Sequence, residues 1–403
     1  MRLTYLSASG QLGGAEVALL DVIAAVRDAK PAWPVQVVIA ADGPFAARAS
    51  ALGAQPEILP FPESLARLGE HQAAGAPGGY ARLATRLGLA AAPVAGYTRR
   101  LAQVVSAFGP DLVHSNGLKF HVLAAMAHLD APLVWHVHDY VGSRRVTSTL
   151  LRWNRARCAA IVANSRSVAA DVRQAIGGDI RVVPVHNAVD LSRFSPDGGG
   201  EDLDRLAALP PGPAGTVRVG LVATFARWKG HEVFLRAMAT LADTPVRAYV
   251  IGDALYQTEG SQYSRDELAR LAAAVGLGDR VGFTGFVDRI ERVYRALDVV
   301  VHASIEPEPF GLVIAEAMAC GRAVVVSEAG GAVEVVTPGA DALTHRPGDV
   351  GSLASAIRAL ASDAAKRAAL GRAARQSAVR AFDRARLARE LLTVYESAAA
   401  VRA

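Results

Sequence analysis

Two series of short apolar runs, each run followed by a longer amphipathic stretch, constrain the fold of this chain more than any other feature of its sequence. This alternation is typical of βαβ units, in which helices connect parallel strands and pack on the sheet. The first series predicts strands at residues 3–7, 35–40, 112–114, 133–138, 160–163 and 181–183. The second predicts strands at residues 217–222, 246–251, 281–283, 299–302 and 323–326.

The alternation stops between residues 191 and 216, where glycine and proline are dense. Such breakers disfavour helices and central strands, so we interpret 191–216 as a linker. The chain of 403 residues then divides into a domain at 1–190 and a domain at 217–383. A last helix at about 384–403 is expected to pack back on the first domain. The predicted fold class is α/β, with two doubly wound, Rossmann-like domains.

Composition excludes several classes of protein. Apolar residues make up 51% of the chain and charged residues 20%, which excludes a disordered chain. The longest stretch without Asp, Glu, Lys or Arg is residues 3–15, shorter than the roughly 20 residues of a membrane-spanning helix. We see no signal-peptide pattern and expect a cytoplasmic protein. The two cysteines, Cys158 and Cys320, predict neither a disulfide framework nor a zinc site.

The net charge of +5 lies in the first half of the chain. Residues 1–190 hold 18 basic and 13 acidic groups, whereas residues 191–403 hold 25 of each. We interpret this excess first as a solvated surface and second as a site for an anionic partner. Because the basic residues are scattered, the sequence predicts no nucleic-acid footprint.

A glycine-rich turn that contains Gly13 and Gly14 follows the first predicted strand. Its amides could approach a phosphate or a sugar, because glycine has no Cβ and a helix N-terminus favours negative charge. The spacing matches neither the dinucleotide fingerprint nor a P-loop, which disfavours a dehydrogenase and an NTPase. A plain strand-to-helix turn is the alternative.

The most informative segment is residues 306–321. Pro307 and Pro309 predict an extended loop, so that the next helix begins only after Gly311. The amides of the first turn are then free for a diphosphate; they belong to Phe310, Gly311 and Leu312.

Two glutamates flank this predicted anion site. A carboxylate accepts two hydrogen bonds at once and therefore suits vicinal hydroxyls. Glu308 could hold a sugar, and Glu316 a ribose. The alternative is a solvated loop residue at Glu308 and a surface charge on the helix at Glu316.

The whole string resembles the signature of two glutamates separated by seven residues in the retaining glycosyltransferases of family four. Further segments resemble the same family in the same order; they are 136–139, 164–165, 187–190, 228–231, 285–286 and 330–334. The resemblance implies a GT-B fold, with two Rossmann-like domains facing a central cleft. It implies transfer of a sugar, of the hexosyl type and with retention, from a nucleotide diphosphate sugar to an acceptor hydroxyl.

The resemblance also assigns roles to residues. It implies Glu308, Lys229 and His138 as catalytic residues, with His138 preferred over His136 because it lies nearer the strand end. The implied donor-binding residues are Gly13, Gly14, Thr224, Arg227, Lys229, Gly252, Phe286, Glu308, Phe310, Gly311, Leu312 and Glu316. His136 is expected to be a buried, hydrogen-bonded histidine.

This sequence departs from the family at one chemically important place. Where the family has Gly-Arg-Leu, residues 223–225 read Ala-Thr-Phe, so the usual diphosphate-binding arginine is missing. Arg227 is the candidate replacement. A lysine such as Lys229 suits a phosphate as a point charge. No metal site and no cofactor besides the nucleotide sugar is expected.

The charge split between the two halves, together with the clustering of nucleotide-type residues between Lys229 and Glu334, predicts that the first domain binds the acceptor and the second the nucleotide. The acceptor is a glycan, a lipid-linked group or a small molecule, and the products are glycans, glycolipids or glycosylated metabolites. Peripheral contact with an anionic membrane through Arg82, Arg86, Arg99 and Arg100 is a further hypothesis, with a core-facing helix as its alternative. Other functions on the same architecture are a nucleotide-sugar epimerase, a glycan phosphorylase and an inactive binding module.

Overall fold

The computed structural model describes residues 1–66, 91–254 and 261–400 of the chain. The chain divides into two compact units. Unit 1 consists of Met1–Ala188 and the C-terminal segment that begins at Arg384, and unit 2 consists of Val189–Asp383. Each unit is built on one parallel sheet, as the alternating pattern predicts. In the part of the chain described, no helix is both long and apolar enough to cross a membrane.

Unit 1 contains a seven-stranded sheet with the order β3-β2-β1-β4-β5-β6-β7. Its strands are β1 (Leu3–Ser7), β2 (Val35–Ile39), β3 (Gln55–Ile58), β4 (Leu112–Asn116), β5 (Leu133–Val137), β6 (Cys158–Ala163) and β7 (Val182–Pro184). Every residue of β1, β4 and β5 is buried, as in a sheet that is covered on both faces. β3 was not predicted from the sequence, because it is an exposed edge strand that contains a proline.

Helices follow the strands of unit 1 and cover its sheet. They are α1 (Gly14–Ala29), α2 (Pro44–Ala51), α3 (Glu63–Ala66), α4 (Ala91–Phe108), α5 (Leu118–Met126), α6 (Arg145–Asn154) and α7 (Arg166–Ile176), with α16 (Arg384–Ala400) at the C-terminal end. Arg384 of α16 pairs with Asp21 of α1 at 2.5 Å. The buried face of α16 carries Leu387, Leu391 and Val394, whose helical spacing packs one stripe against the core of unit 1.

Unit 2 contains a six-stranded sheet with the order β10-β9-β8-β11-β12-β13. Its strands are β8 (Val217–Val222), β9 (Val246–Ile251), β10 (Val281–Gly285), β11 (Val299–His302), β12 (Ala323–Ser327) and β13 (Leu343–His345). The helices are α8 (Leu203–Leu206), α9 (His231–Ala239), α10 (Arg265–Ala274), α11 (Ile290–Ala296), α12 (Leu312–Ala319), α13 (Ala332–Val335), α14 (Val350–Ala361) and α15 (Ala364–Ala381). β13, an edge strand of three residues, was not predicted from the sequence.

The segment interpreted as a linker, residues 191–216, belongs to unit 2 in the structure, and the boundary between the units lies at 188 and 189 instead of 190. Phe194 and Leu203 are buried in the core of unit 2, and α8 forms inside the segment. Asp202 caps this short helix by accepting a hydrogen bond from the Arg205 amide at 3.1 Å. Glycines and prolines predicted the irregular backbone, but the apolar residues between them decide that it packs on unit 2.

The two sheets share one strand order around their centres. In unit 1 the chain reverses direction across the sheet between β1 and β4, and in unit 2 between β8 and β11. Ligands of open α/β sheets bind beyond the carboxyl ends of the strands at such a reversal. The turns after β1, β4 and β5, and those after β8 and β11, are therefore where a site is expected.

Candidate functional site

The loop between β11 and α12 carries Glu308, and the chain around it fixes its shape. The Gly331 amide donates to the Glu308 carbonyl oxygen at 2.6 Å, which ties the loop to the start of α13. Gly311 precedes α12 with a φ of 90°, in the left-handed region that favours glycine. A Cβ at Gly311 would come within 2.6 Å of Ile314 Cδ1 and 3.6 Å of Glu308 Cγ. The start of α12 and the Glu308 side chain are therefore direct neighbours.

The N-terminus of α12 presents hydrogen-bond donors. The amides of Gly311 and Leu312 donate to no acceptor among residues 1–66, 91–254 and 261–400. The aligned peptide dipoles of a helix give its first turn a partial positive charge. This turn can accordingly bind an anion through its main chain.

Lys229 contacts Glu308 directly, although 79 residues separate them in sequence. The ammonium Nζ donates to Glu308 Oε2 at 2.6 Å, and both side chains are largely buried. Gly230 makes this approach possible: its φ is 75°, and a Cβ there would lie 1.9 Å from the Ala303 carbonyl oxygen. The turn after β8 can therefore rest against the end of β11 only because residue 230 is glycine.

Two further side chains hold the same carboxylate oxygen. His302 Nε2 lies 3.1 Å from Glu308 Oε2, and the Ser304 hydroxyl donates to it at 3.0 Å. Burial alone would raise the pKa of the Glu308 carboxyl, but the Lys229 ammonium and the His302 hydrogen bond outweigh burial and hold that pKa well below its usual range. Glu308 is an ionised carboxylate inside a compact polar cluster.

Glu316 points into the interior of unit 2, so the alternative that it is a surface charge is wrong. It is 8% exposed, and its Oε2 accepts a hydrogen bond from the Tyr294 hydroxyl at 2.8 Å. Burial, followed by the neighbouring Glu316 carboxylate, raises the pKa of Tyr294 well above its usual value. Tyr294 therefore remains a hydrogen-bond donor that fixes the Glu316 carboxylate.

Arg227, the candidate replacement for the missing arginine, is held on unit 2 by side-chain contacts. Its guanidinium pairs with Glu267 at 3.1 Å and lies 4.2 Å from the centroid of the Tyr263 ring. Thr224 is half-buried, and Phe225 beside it is buried in the core. The turn after β8 thus places Arg227 and Lys229 at the two ends of one short helical turn, Arg227–Lys229.

Three other residues of unit 2 from the expected donor site differ in what they expose. Gly252 has a φ of 136°, and a Cβ there would lie 2.0 Å from the Ala223 carbonyl oxygen, so its role in the structure is a close main-chain approach. Phe310 is buried, with its ring edge-to-face on Phe382 at 5.8 Å. Phe286 is 56% exposed and is free to contact a ligand through its ring.

In unit 1, Gly13 caps α1 and Gly14 is its first residue. No described residue lies within 4 Å of a Cβ built at Gly14, so the described part of the chain leaves space for a ligand at this position. Sequence reasoning did not single out Glu16 in the same turn. Burial raises the pKa of the Glu16 carboxyl to about 7. This carboxyl can therefore be neutral and donate a hydrogen bond near physiological pH.

His138 lies one residue beyond β5 and is half-buried. Its Nε2 is 2.6 Å from Asn116 Oδ1, and burial lowers its pKa to about 4. The ring of His136 lies 4.0 Å from it, centroid to centroid. His136 is buried as expected, but neither of its ring nitrogens has a hydrogen-bond partner among the described residues, contrary to the expectation.

Sequence reasoning missed the residues that hold the predicted ones. They are Asn116, His302, Ser304, Tyr294 and Tyr263. Asn116 ends β4 and His302 ends β11, and the position of each at a strand end is the one signal that could have indicated it. Tyr294 carries no such signal, because it lies within α11.

Comparison with known proteins places each half of the chain in a family. A model described as Glycosyltransferase Family 4 matches residues 12–193, and one described as Glycosyl transferases group 1 matches residues 213–377. A D-inositol 3-phosphate glycosyltransferase from Salinispora tropica is 34% identical over 255 residues, which cover 60% of this chain and 51% of that protein. The matched segment thus spans about half the length of this relative.

Solved structures match the whole chain. The crystal structure of HepE from Anabaena in complex with UDP has a TM-score of 0.79 and 27% identity, and the match covers 98% of this chain and 100% of HepE. The complex of the same protein with UDP-glucose has a TM-score of 0.77 and 28% identity, with coverage of 100% and 99%. Family models, sheet topology and these neighbours agree, and the chain belongs to the glycosyltransferases of family four, with their GT-B fold.

Proposed function

We propose that this chain transfers a sugar from a nucleotide diphosphate sugar to a hydroxyl group of an acceptor. The observation that carries the proposal is the buried ion pair of Lys229 and Glu308 beside the open amides at the start of α12. A cation and main-chain donors suit a diphosphate, and an ionised carboxylate suits the hydroxyls of a sugar. One small region of unit 2 therefore offers complementary groups to both parts of such a donor.

The donor class is supported by HepE, whose crystal structures contain UDP and UDP-glucose. By analogy, we propose a hexosyl donor for this chain. Glu316 would accept hydrogen bonds from the ribose, and Arg227 would reach the diphosphate by exchanging its contact with Glu267. The Gly13–Gly14 turn and the residues Thr224, Gly252, Phe286 and Phe310 would contribute main-chain contacts or ring surface to the donor.

Donor binding would change the partner of Lys229. In the structure the ammonium neutralises Glu308. When a diphosphate binds, Lys229 can transfer its donated hydrogen bond to a phosphate oxygen, which leaves Glu308 able to accept hydrogen bonds from the sugar. The cost of burying the pair is thereby offset by two new charge-assisted interactions.

The proposed reaction proceeds with retention and without a metal cofactor. The bond between the anomeric carbon and the phosphate oxygen breaks, and the acceptor oxygen bonds to the same face of that carbon. The acceptor proton passes to the departing phosphate oxygen. Lys229 and the amides of α12 stabilise the negative charge that develops on the leaving diphosphate, an electrostatic contribution made by preorganised groups.

Unit 1 would bind the acceptor. The name of the Salinispora relative specifies an inositol phosphate acceptor, which is anionic, and residues 1–190 of this chain hold the excess of basic groups. We therefore propose an anionic acceptor. An anionic membrane is the second partner that this basic excess could attract. Of the four arginines in that hypothesis, Arg99 and Arg100 are exposed on α4, while Arg82 and Arg86 lie outside the described residues.

A panel of nucleotide diphosphate sugars tests the donor half of the proposal. A matching donor should raise the melting temperature of the full chain, because it binds only the folded state. The same donor should be hydrolysed slowly without acceptor, also in excess chelator. Phosphate-dependent breakdown of a glycan would instead indicate a phosphorylase, and interconversion of two nucleotide sugars an epimerase. Stabilisation without any turnover would identify an inactive binding module.

The configuration of the product tests retention. We expect NMR of the first product to show the same anomeric configuration as the donor. An inverted product would overturn the retaining mechanism and leave the donor assignment intact.

A further inference from the structure

Asn116 has contacts that define the orientation of its amide group. This residue ends β4 and is 1% exposed. Its Nδ2 donates to the Ala15 carbonyl oxygen of α1 at 3.2 Å, and its Oδ1 lies 2.6 Å from His138 Nε2. A carbonyl oxygen can only accept, so the NH2 group must face Ala15. The amide oxygen is consequently the atom that faces His138.

An amide oxygen can only accept as well, which determines the proton on the histidine. His138 must donate from Nε2 to satisfy the 2.6 Å contact. In a neutral imidazole with Nε2–H, the other nitrogen Nδ1 has a lone pair and no proton. No residue in the described part of the chain hydrogen-bonds to Nδ1.

We propose that Asn116 is a positioning residue that fixes His138 in the Nε2–H form, so that Nδ1 accepts a hydrogen bond from a ligand hydroxyl. The second half of this inference rests on the proposed function, since it takes the ligand to be the sugar or the acceptor. His138 is then a hydrogen-bond acceptor that orients a hydroxyl. It is neither a donor to phosphate nor a cationic group.

The surroundings of His138 favour this neutral form. The buried rings of His114 and His136 lie in the same cluster, 5.1 Å apart between centroids, and burial lowers the pKa of each. Asp139 follows His138, but the Arg144 guanidinium pairs with its carboxylate. The contact of Asn116 with Ala15 also links His138 to the first turn of α1. The side-chain amide of Asn116 thus contacts both the helix that follows the Gly13–Gly14 turn and the imidazole of His138.

Nitrogen NMR of the full chain labelled with 15N-histidine tests the tautomer directly, without donor or acceptor. The His138 signals are assigned from their loss in His138→Gln. We expect protonated Nε2 and unprotonated Nδ1 in the parent protein at neutral pH. Asn116→Ala should give a mixture of both tautomers. A protonated Nδ1 in the parent, or a single unchanged tautomer in Asn116→Ala, would overturn the role of Asn116.

Two other variants separate positioning from a merely structural role. Asn116→Asp retains an acceptor for Nε2–H and adds a negative charge, so it should keep the tautomer while raising the pKa of His138 in an NMR titration. Asn164→Ala is the matched control. Asn164 follows β6 at the same edge of the sheet, but its Nδ2 donates to the main-chain oxygen of His138, not to the imidazole, at 3.3 Å. This control should leave the tautomer unchanged. An equal change in Asn164→Ala would show that the effect is structural.

Activity tests the ligand half separately. Once a donor has been identified, Asn116→Ala should lower kcat/KM by about tenfold. In this variant the imidazole is no longer fixed in the Nε2–H form, so Nδ1 no longer reliably accepts the hydrogen bond from the ligand hydroxyl. Unchanged kcat/KM together with a mixed tautomer would overturn the hydroxyl contact and keep the positioning role. Because the NMR result needs no substrate, failure of the proposed function would not alter it.

Discussion

Units 1 and 2 have the same order of central strands but opposite chemistry at the carboxyl edge of their sheets. In unit 2, the turns after β8 and β11 bring together an ammonium and a carboxylate, Lys229 and Glu308. In unit 1, the turn after β1 is rich in glycine, and Asn116 and His138 meet after β4 and β5 as neutral groups. One topology therefore places a charged pair at this edge in one unit and a neutral pair in the other.

This difference fits the two tasks that we propose for the units. A diphosphate carries negative charge that increases as it leaves, and the cation and amides of unit 2 are the groups that we propose to stabilise it. The hydroxyl group of an acceptor can instead be bound by neutral donors and acceptors, such as those that unit 1 presents. The positive excess of residues 1–190 is therefore a property of the surface of unit 1, carried by exposed arginines such as Arg99 and Arg100. The proposed anionic acceptor would meet this surface charge, whereas its hydroxyl group would lie at the neutral edge beside His138.

Replacement of Lys229 should produce the largest effect, because unit 2 would lose the charge that distinguishes it from unit 1. We expect Lys229→Ala to lower turnover by about 100- to 1000-fold, the usual consequence of removing one preorganised group that stabilises a transition-state anion. Steady-state rates with a saturating donor measure this loss. Equal rates in the variant and the parent would remove Lys229 from the mechanism.

The same variant also tests the ion pair as a structural element. Its removal leaves the buried Glu308 carboxylate with only His302 and Ser304 among the partners described above. Breaking a buried ion pair typically lowers the free energy of unfolding by about 3 to 5 kcal/mol, so Lys229→Ala should be less stable than the parent protein by about this amount. As a control, Arg358→Ala breaks the exposed pair with Asp243 in the same unit and should change both stability and turnover little.

Replacement of Glu316 sharpens the assignment of the donor to unit 2. Loss of a charged hydrogen-bond acceptor should weaken donor binding by about 1.5 to 3 kcal/mol in Glu316→Ala, measured by calorimetry. Tyr294→Phe is the matched control, since it removes the hydroxyl that donates to Glu316 but keeps the carboxylate. Its effect on affinity should be smaller. Unchanged donor affinity in Glu316→Ala would contradict the ribose assignment.

Acid titration tests the ionised carboxylate of Glu308 in unit 2 without any ligand. The pKa of Glu308 is depressed in the folded state, so its contribution to stability is present above the usual glutamate pKa of 4.5 and is lost as pH falls toward the lower folded value. The free energy of unfolding of the parent should therefore decline relative to Glu308→Gln below about pH 4.5, by on the order of 1 to 2 kcal/mol. Denaturant titrations at several pH values measure it. A constant difference between the two proteins would contradict the ionised, paired Glu308.

Apolar periodicity predicted the central strands because burial selects their residues. The predicted bounds of β1, β8, β9 and β11 coincide with those in the structure. The edge strands β3 and β13 lack a buried apolar run and could not be recognised in this way. The interpretation of residues 191–216 as a linker was wrong for another reason. Local breakers describe backbone irregularity, whereas tertiary packing of Phe194 and Leu203 decides which unit the segment joins.

Candidate residues of the site could be named from the sequence, but their contacts could not. Lys229 and Glu308 were both singled out, yet their pairing depends on β8 and β11 being neighbours in the sheet and on Gly230 allowing the close approach. Asn116, His302 and Ser304 resemble any polar residue at a strand end. Only the order of the strands gives such residues partners.

The smallest expected effect concerns the surface charge of unit 1. If its basic excess attracts an anionic partner, vesicles that contain anionic lipids should bind the protein at low salt, and binding should weaken as salt rises, since exposed charges are screened over about 8 Å at physiological ionic strength. Changing Arg99 and Arg100 of α4 to glutamine should reduce binding by about 1 kcal/mol per residue near the surface and leave donor affinity intact. Arg372 and Arg380, exposed on α15 of unit 2, provide a control with equal loss of charge. If both pairs reduce binding equally, net charge alone attracts the protein to the vesicle. If the parent ignores anionic vesicles at low salt, the membrane hypothesis is wrong and the arginines of α4 form a solvated basic surface.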